Sequence, residues 1–141
     1  METDIEKKEK RNIQNIEALK KHTNCEYSDI KKEGKTTYYI GDQAYLVLSD
    51  KEAQTRCEED IKQFVWAFNS SFLSFHTDIN EDIIKSVQEH SEGSNDMLLN
   101  SIKDIQKFIN EAIASDGRGH FISYYDGHEH EENDLFIYRL N

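Results

Sequence analysis

Two short stretches late in the chain hold the residue types best suited to chemistry. In Asp116-Gly-Arg-Gly-His120, glycines flank an arginine and free the backbone to present a guanidinium with neighbouring N–H groups. A turn of this kind can grip a carboxylate or phosphate bidentately. In His128-Glu-His130, two imidazoles at strand spacing point the same way, with Asp126, Glu129, Glu131 and Glu132 close by. Histidine and carboxylates are ligands of zinc and non-haem iron, so His128 and His130 are the alternative metal residues. His120 is not a third ligand. If residues 121–125 pair with residues 135–139, His120 sits at the base of a hairpin and the other two histidines at its tip. Five strand residues then separate them by about 16 Å, too far for one ion to bridge. The competing reading is a solvated acidic loop with two titrating histidines. The same hairpin brings Arg118 and Arg139 together beside His120, either as an anion pocket or as ordinary ion pairs.

Other chemistries find no foothold. There is no nucleophile elbow, no cysteine paired locally with histidine and no phosphate-cradling glycine loop. Spacing singles out no pair among the 28 carboxylates for acid–base work. No residue is therefore assigned a catalytic role, and no cofactor is implied.

The elements that would position these residues follow from periodicity. The first 22 residues favour a helix, with Ile5, Ile13, Ile16 and Leu19 on one side and Lys7, Lys8, Lys10 and Arg11 outside. The stripe is sparse, so the first turns are expected to fray. Residues 26–48 form a meander, with turns at Glu33-Gly34 and Gly41-Asp42, the latter of the Gly-X hairpin type. Ser49 and Glu52 make a capping box for a helix carrying Ala53, Cys57, Ile61, Phe64, Val65 and Phe68 on one face. Cys57 reads as a small core hydrophobe. Trp66 falls on the opposite face, either covered by a second layer or exposed as an anchor for a partner. A turn is expected near His76-Thr77. A short helix then starts at the N-cap Asn80, and another runs from Ser94 or Asn95 with Leu98, Ile102, Ile105, Ile109 and Ala112 aligned, stopped by Gly117. A hairpin over residues 120–140 closes the chain. Tyr38, Tyr39, Tyr45, Tyr124, Tyr125 and Tyr138 are expected along the rim of one sheet face. The result is an α+β fold in a single domain, residues 1–141. It has one antiparallel sheet, the N-terminal meander plus the C-terminal hairpin, with three to four helices packed on it.

Composition bounds the partners. The net charge of −11 is uneven: residues 1–35 hold nine Lys/Arg against eight Asp/Glu, and residues 36–141 hold eight against 20. An acidic body repels nucleic-acid phosphates and attracts basic protein surfaces. Direct nucleic-acid binding is thus disfavoured. The basic faces of the first helix read as solvated, with contact to the acidic body of a second copy, a homodimer, as the alternative. Cys25 and Cys57 lie outside any C-x-x-C pattern and read as free thiols. No apolar run reaches the length of a membrane span, and the expected location is cytoplasmic.

The segment DGRGHFISYYDG, followed after an acidic gap by FIYRLN, resembles a group of small acidic proteins encoded by phages, plasmids and their bacterial hosts, a group without an assigned activity. The stretches QAYLVLSDKEAQ and WAFNSSFLSFHT are similar to that group as well, so the resemblance covers residues 40–141. It implies a mobile-element setting. The positions matching its pattern are Arg118, His120, Asp126, Gly127, Tyr138 and Arg139. In the group the position of His128 tends to be acidic and that of His130 varies, which weighs against metal. The candidate binding set is Arg118, His120, Asp126, Tyr138, Arg139 and Trp66. The expected function is a non-enzymatic interaction protein that masks a basic, nucleic-acid-processing or defence protein. The alternative is a small-molecule or metal-binding domain, hydrolytic in one version, built on the C-terminal hairpin.

Overall fold

Thr3 begins the first helix, α1 (Asp4–Thr23), by accepting the Glu6 N–H on its side-chain oxygen, and Asn24 ends it in a left-handed conformation. Residues Met1–Asn141 are described by a computed structural model. Two compact units emerge: Met1–Arg56 with Arg118–Asn141, and Cys57–Gly117.

The first unit holds a five-stranded, wholly antiparallel sheet of β1 (Ile30–Lys32), β2 (Thr37–Ile40), β3 (Gln43–Leu48), β4 (His130–Glu132) and β5 (Leu135–Arg139). Its spatial order is β1-β2-β3-β5-β4. The meander is as expected. Gly41 takes a positive φ and Asp42 does not, and Ile40 pairs with Gln43 across the two-residue loop, as a Gly-X turn requires.

Helix α1 covers one sheet face. Ile16, Ala18 and Leu19 join Tyr38, Tyr45, Val47, Leu135 and Ile137 in a single core. The apolar stripe expected on α1 is corrected at its outer end, where Ile5 and Ile13 are exposed. A buried Asn15 takes part instead, donating to the Tyr38 hydroxyl at 3.1 Å while accepting from Arg11 at 2.8 Å. Tyr38 in turn donates to Asn12 at 2.7 Å. This polar chain satisfies every group that α1 buries there.

The expected tyrosine rim does not form. Side chains alternate along a strand, so Tyr38 and Tyr45 face α1 while Tyr39 and Tyr138 point to the opposite face. Tyr124 and Tyr125 are exposed in a loop.

Helix α2 (Asp50–Gln63) starts with the anticipated capping box: Ser49 N–H donates to Glu52 at 2.8 Å and Glu52 N–H to the Ser49 hydroxyl at 3.2 Å. The boundary between the two units falls within this helix. Ala53, Cys57, Ile61 and Val65 are fully buried, whereas Phe64 is exposed because the chain leaves the helix at that point.

The second unit holds four further helices, α3 (Ser70–Thr77), α4 (Glu81–Gln88), α5 (Asn95–Ser101) and α6 (Ile105–Asp116), and with α1, α2 and a last short helix after Gly117 the chain has seven where three to four were expected. Asn69 caps α3, so the residues expected to turn near His76 are helical. The helix expected to start near residue 95 and run to Gly117 breaks at residues 102–104. There Asp104 accepts from Lys107 N–H and the Lys103 N–H donates to the His76 carbonyl. Phe68, Phe72 and Phe108 cluster with ring centroids 5.0–5.8 Å apart. His76, buried among them, hydrogen-bonds Glu111 at 2.7 Å and ties α3 to α6. Gly117, with φ +82, ends α6 as expected.

The closing hairpin needs correction. The strand expected over residues 121–125 does not form: residues 121–122 end the short helix α7 (Arg118–Ile122), residues 123–125 turn, and β5 pairs with residues 130–132 instead. No helix is long and apolar enough to cross a membrane.

Candidate functional site

Gly119 decides the geometry around Arg118. A Cβ on Gly119 would lie 2.6 Å from the Gly127 carbonyl oxygen and 2.6 Å from the His128 carbonyl carbon. Only glycine lets α7 press this closely on residues 127–129. Glu129 is thereby brought to Arg118, whose Nε donates to Glu129 Oε1 at 2.8 Å. The Arg118 Nη1 donates to the Asp50 carboxylate at 2.9 Å and to the Asp50 carbonyl at 3.1 Å. The Tyr138 hydroxyl bonds the same Glu129 oxygen, and the guanidinium carbon stands 4.7 Å from the Phe136 ring centroid. The Arg118 side chain is only 12% exposed. Burial works against its charge, and Glu129 and Asp50 more than offset that. Its Nε and Nη1 are thus committed within the fold, in a clasp joining α7, the start of α2 and β5.

Asp126 and Arg139 belong to a second knot. The Ser123 hydroxyl reaches Asp126 at 3.0 Å and the Arg139 carbonyl at 2.7 Å. The backbone N–H of His128 holds the Asp126 carboxyl below its usual range, with Ser123 and the nearby imidazoles adding to the effect. The Arg139 guanidinium lies 3.6 Å from the Tyr125 ring centroid and donates to the Asn141 carbonyl at 2.7 Å. Arg118 reaches the Phe136 side of β5, and Arg139 occupies the other, since residues three apart on a strand point to opposite faces. The pocket expected from Arg118, His120 and Arg139 is therefore not assembled. His120 is exposed on α7 with its ring edge-on to Phe121.

The histidines gather differently from what a hairpin tip would give. The tip is Asn133-Asp134, both at positive φ. His130 is a β4 residue paired with Ile137, on the face that α1 covers. There it meets His22, from the last turn of α1, with ring centroids 4.5 Å apart, and His128 follows at 6.2 Å. Tyr45 contacts His22 edge-on at 6.5 Å. No three His, Cys, Asp or Glu side chains converge on one point as metal ligands. Nothing local in the sequence marks His22, because only the docking of α1 on the sheet brings it to β4. Beside this junction, a shallow cleft of about 460 Å³ is lined by Glu17, Lys20, Lys21, Asn24, Cys25 and Asn133.

Trp66 lies in the second unit, in a single 3-10 turn after α2. It is half-buried, its backbone held by Asn95 and Gln88, and its indole N–H is enclosed without a hydrogen-bond acceptor. It is therefore largely covered within this unit.

Asn141 and Asp50 also escape a reading of the sequence. The side chain of Asn141 accepts the Ala44 N–H at 2.7 Å and donates to the Asp42 carbonyl at 2.9 Å, binding the end of β5 to the β2–β3 turn. Comparison with protein-family models, curated proteins and solved structures finds no match for this chain.

Proposed function

We propose that this is a small non-enzymatic interaction protein of a phage or mobile element. It binds and masks a basic, nucleic-acid-processing or defence protein through its helical unit. One observation carries this reading. Residues Cys57–Gly117 hold twelve Asp/Glu and four Lys, a net of −8, so this unit carries most of the chain's −11. Eight of those acids are exposed: Glu59, Asp78, Asp82, Glu89, Glu92, Asp96, Asp104 and Asp116. Two of the four lysines are already paired, Lys85 with Glu81 and Lys103 with Asp78. A field of one sign steers a basic partner and speeds its association, while repelling nucleic-acid phosphates. The inward use of Arg118 supports the same reading, since the cation best suited to hold an anionic substrate is spent on the fold.

The test is capture on the immobilised full chain from nuclease-treated host lysate, with elution along a salt gradient and identification by mass spectrometry. A basic protein released steeply as salt rises is the expected outcome, with weaker retention on a Glu89→Gln/Glu92→Gln/Asp96→Asn variant. Retention indifferent to salt and to these substitutions, or no retained protein, overturns the proposal.

A further inference from the structure

Three features tie the last turn of α1 to the edge strand β4: the His22–His130 ring contact, the Lys21–Glu132 ion pair at 3.6 Å, and the Lys21–Asn133 hydrogen bond at 3.4 Å. β4 is only three residues long and pairs with β5 alone. Like β1, the other edge strand, it has ladder bonds on one side only, and the contacts with α1 add to its hold on the sheet.

We propose that the paired imidazoles of His22 and His130 form a proton-sensitive latch between α1 and β4, closed while both rings are neutral and released as they take up protons. Two protonated rings with centroids 4.5 Å apart would place like charges in a partly dehydrated contact. The His128 ring lies 6.2 Å beyond His130.

The groups facing His22 act in both directions. From β3 comes the neutral hydroxyl of Tyr45, whose ionisation burial pushes further up, with Arg139 of β5 as its cross-strand neighbour. From β4 come His130 and Glu132, from the preceding loop Asp126, and from α1 itself Lys21. Burial first and His130 second lower the His22 pKa, and they outweigh Glu132 and Asp126, which raise it. A histidine lowered on folding takes up protons more readily in the open state. The latch is therefore fully effective above the ordinary histidine pKa of about 6.5 and weakens as pH falls from there.

Hydrogen exchange by mass spectrometry on the full chain, at pH 7.5 and 5.5 and corrected for intrinsic exchange rates, tests the latch. Peptides covering residues 16–25 and 126–135 should lose protection together at pH 5.5, by about tenfold, while peptides from the helical unit do not change. His22→Gln and His130→Gln should each abolish most of that pH dependence, and either variant suffices should the other fail to fold. Equal protection at the two pH values, or an undiminished loss in both variants, overturns the proposal. An imidazole titration of wild-type His22 by NMR should give a midpoint below 6.5. A midpoint at or above that value overturns it too.

Discussion

Tyr138 and Arg118 meet on one carboxylate oxygen: the phenol and the Nε of the arginine both donate to Oε1 of Glu129. Tyr138 is fully buried, so the shared oxygen marks the inner end of the clasp that fastens α7 to β5. Because the two donors depend on a single acceptor, their contributions should be coupled. Glu129→Gln should cost about 2 kcal/mol and Tyr138→Phe about 1 kcal/mol, as hydrogen bonds to charged groups do. The double variant should lose less than the sum, a coupling measurable by urea denaturation of all four proteins. Strict additivity would mean that the shared oxygen is not the point of contact.

Glycines provide a sharper contrast. Gly119→Ala must displace backbone at 2.6 Å, whereas nothing lies within 4 Å of a Cβ added at Gly34. The first substitution should destabilise by about 2 kcal/mol or more, and the second by well under about 1 kcal/mol. Thermal melts of the two variants would decide this, and similar losses at both positions would contradict the close approach of residues 127–129.

Asn141→Ala removes the acceptor for the Ala44 N–H, on a residue only 5% exposed. Leaving that donor unpaired should cost about 1–2 kcal/mol. Amide exchange at Ala44 should rise with it, and unchanged protection there would show that the side chain does not seal the β2–β3 turn.

Glu52 predicts acid sensitivity. Burial pushes its carboxyl up, but hydrogen bonds from Arg11 and from the Ser49 N–H outweigh it and leave the group below its usual 4.5. A carboxyl depressed by folding contributes stability that is complete above the unfolded pKa and disappears as pH falls through the folded one. Glu52→Gln keeps an oxygen for Ser49 but loses the charge opposite Arg11. It should therefore be less stable than wild type by about 1 kcal/mol at pH 7, and the gap should close near pH 3. Urea midpoints at the two pH values measure it, and a gap that persists in acid would contradict the ion pair.

Much of the framework is legible in the chain itself, because its signals are local. Thr3, Asn80, the Ser49–Glu52 box, Gly41 and Gly117 each act within four residues of themselves, and each sits where its chemistry predicts. The α+β class follows from the order in which those signals appear. The helix break at Asp104 was legible in kind, as an N-cap, but the aligned apolar residues on either side of it masked it. Residues 121–125 show how local preference loses. Phe-Ile-Ser-Tyr-Tyr favours a strand, yet Gly119 lets α7 lie against residues 127–129, and β5 takes residues 130–132 as its neighbour instead.

Pattern and composition by themselves determined the sign of the surface, the sheet with its meander, and the helix ends, all set by neighbours along the chain. Only the tertiary structure decided which side chains share a site. It turned Arg118 inward to Glu129 and Asp50, put Arg139 on the other face of β5, and carried His22 to His130. Those pairings depend on how α1 and α7 dock on the sheet. Docking is settled by the burial of many apolar groups at once, a sum over contacts distant in sequence that no single stretch contains.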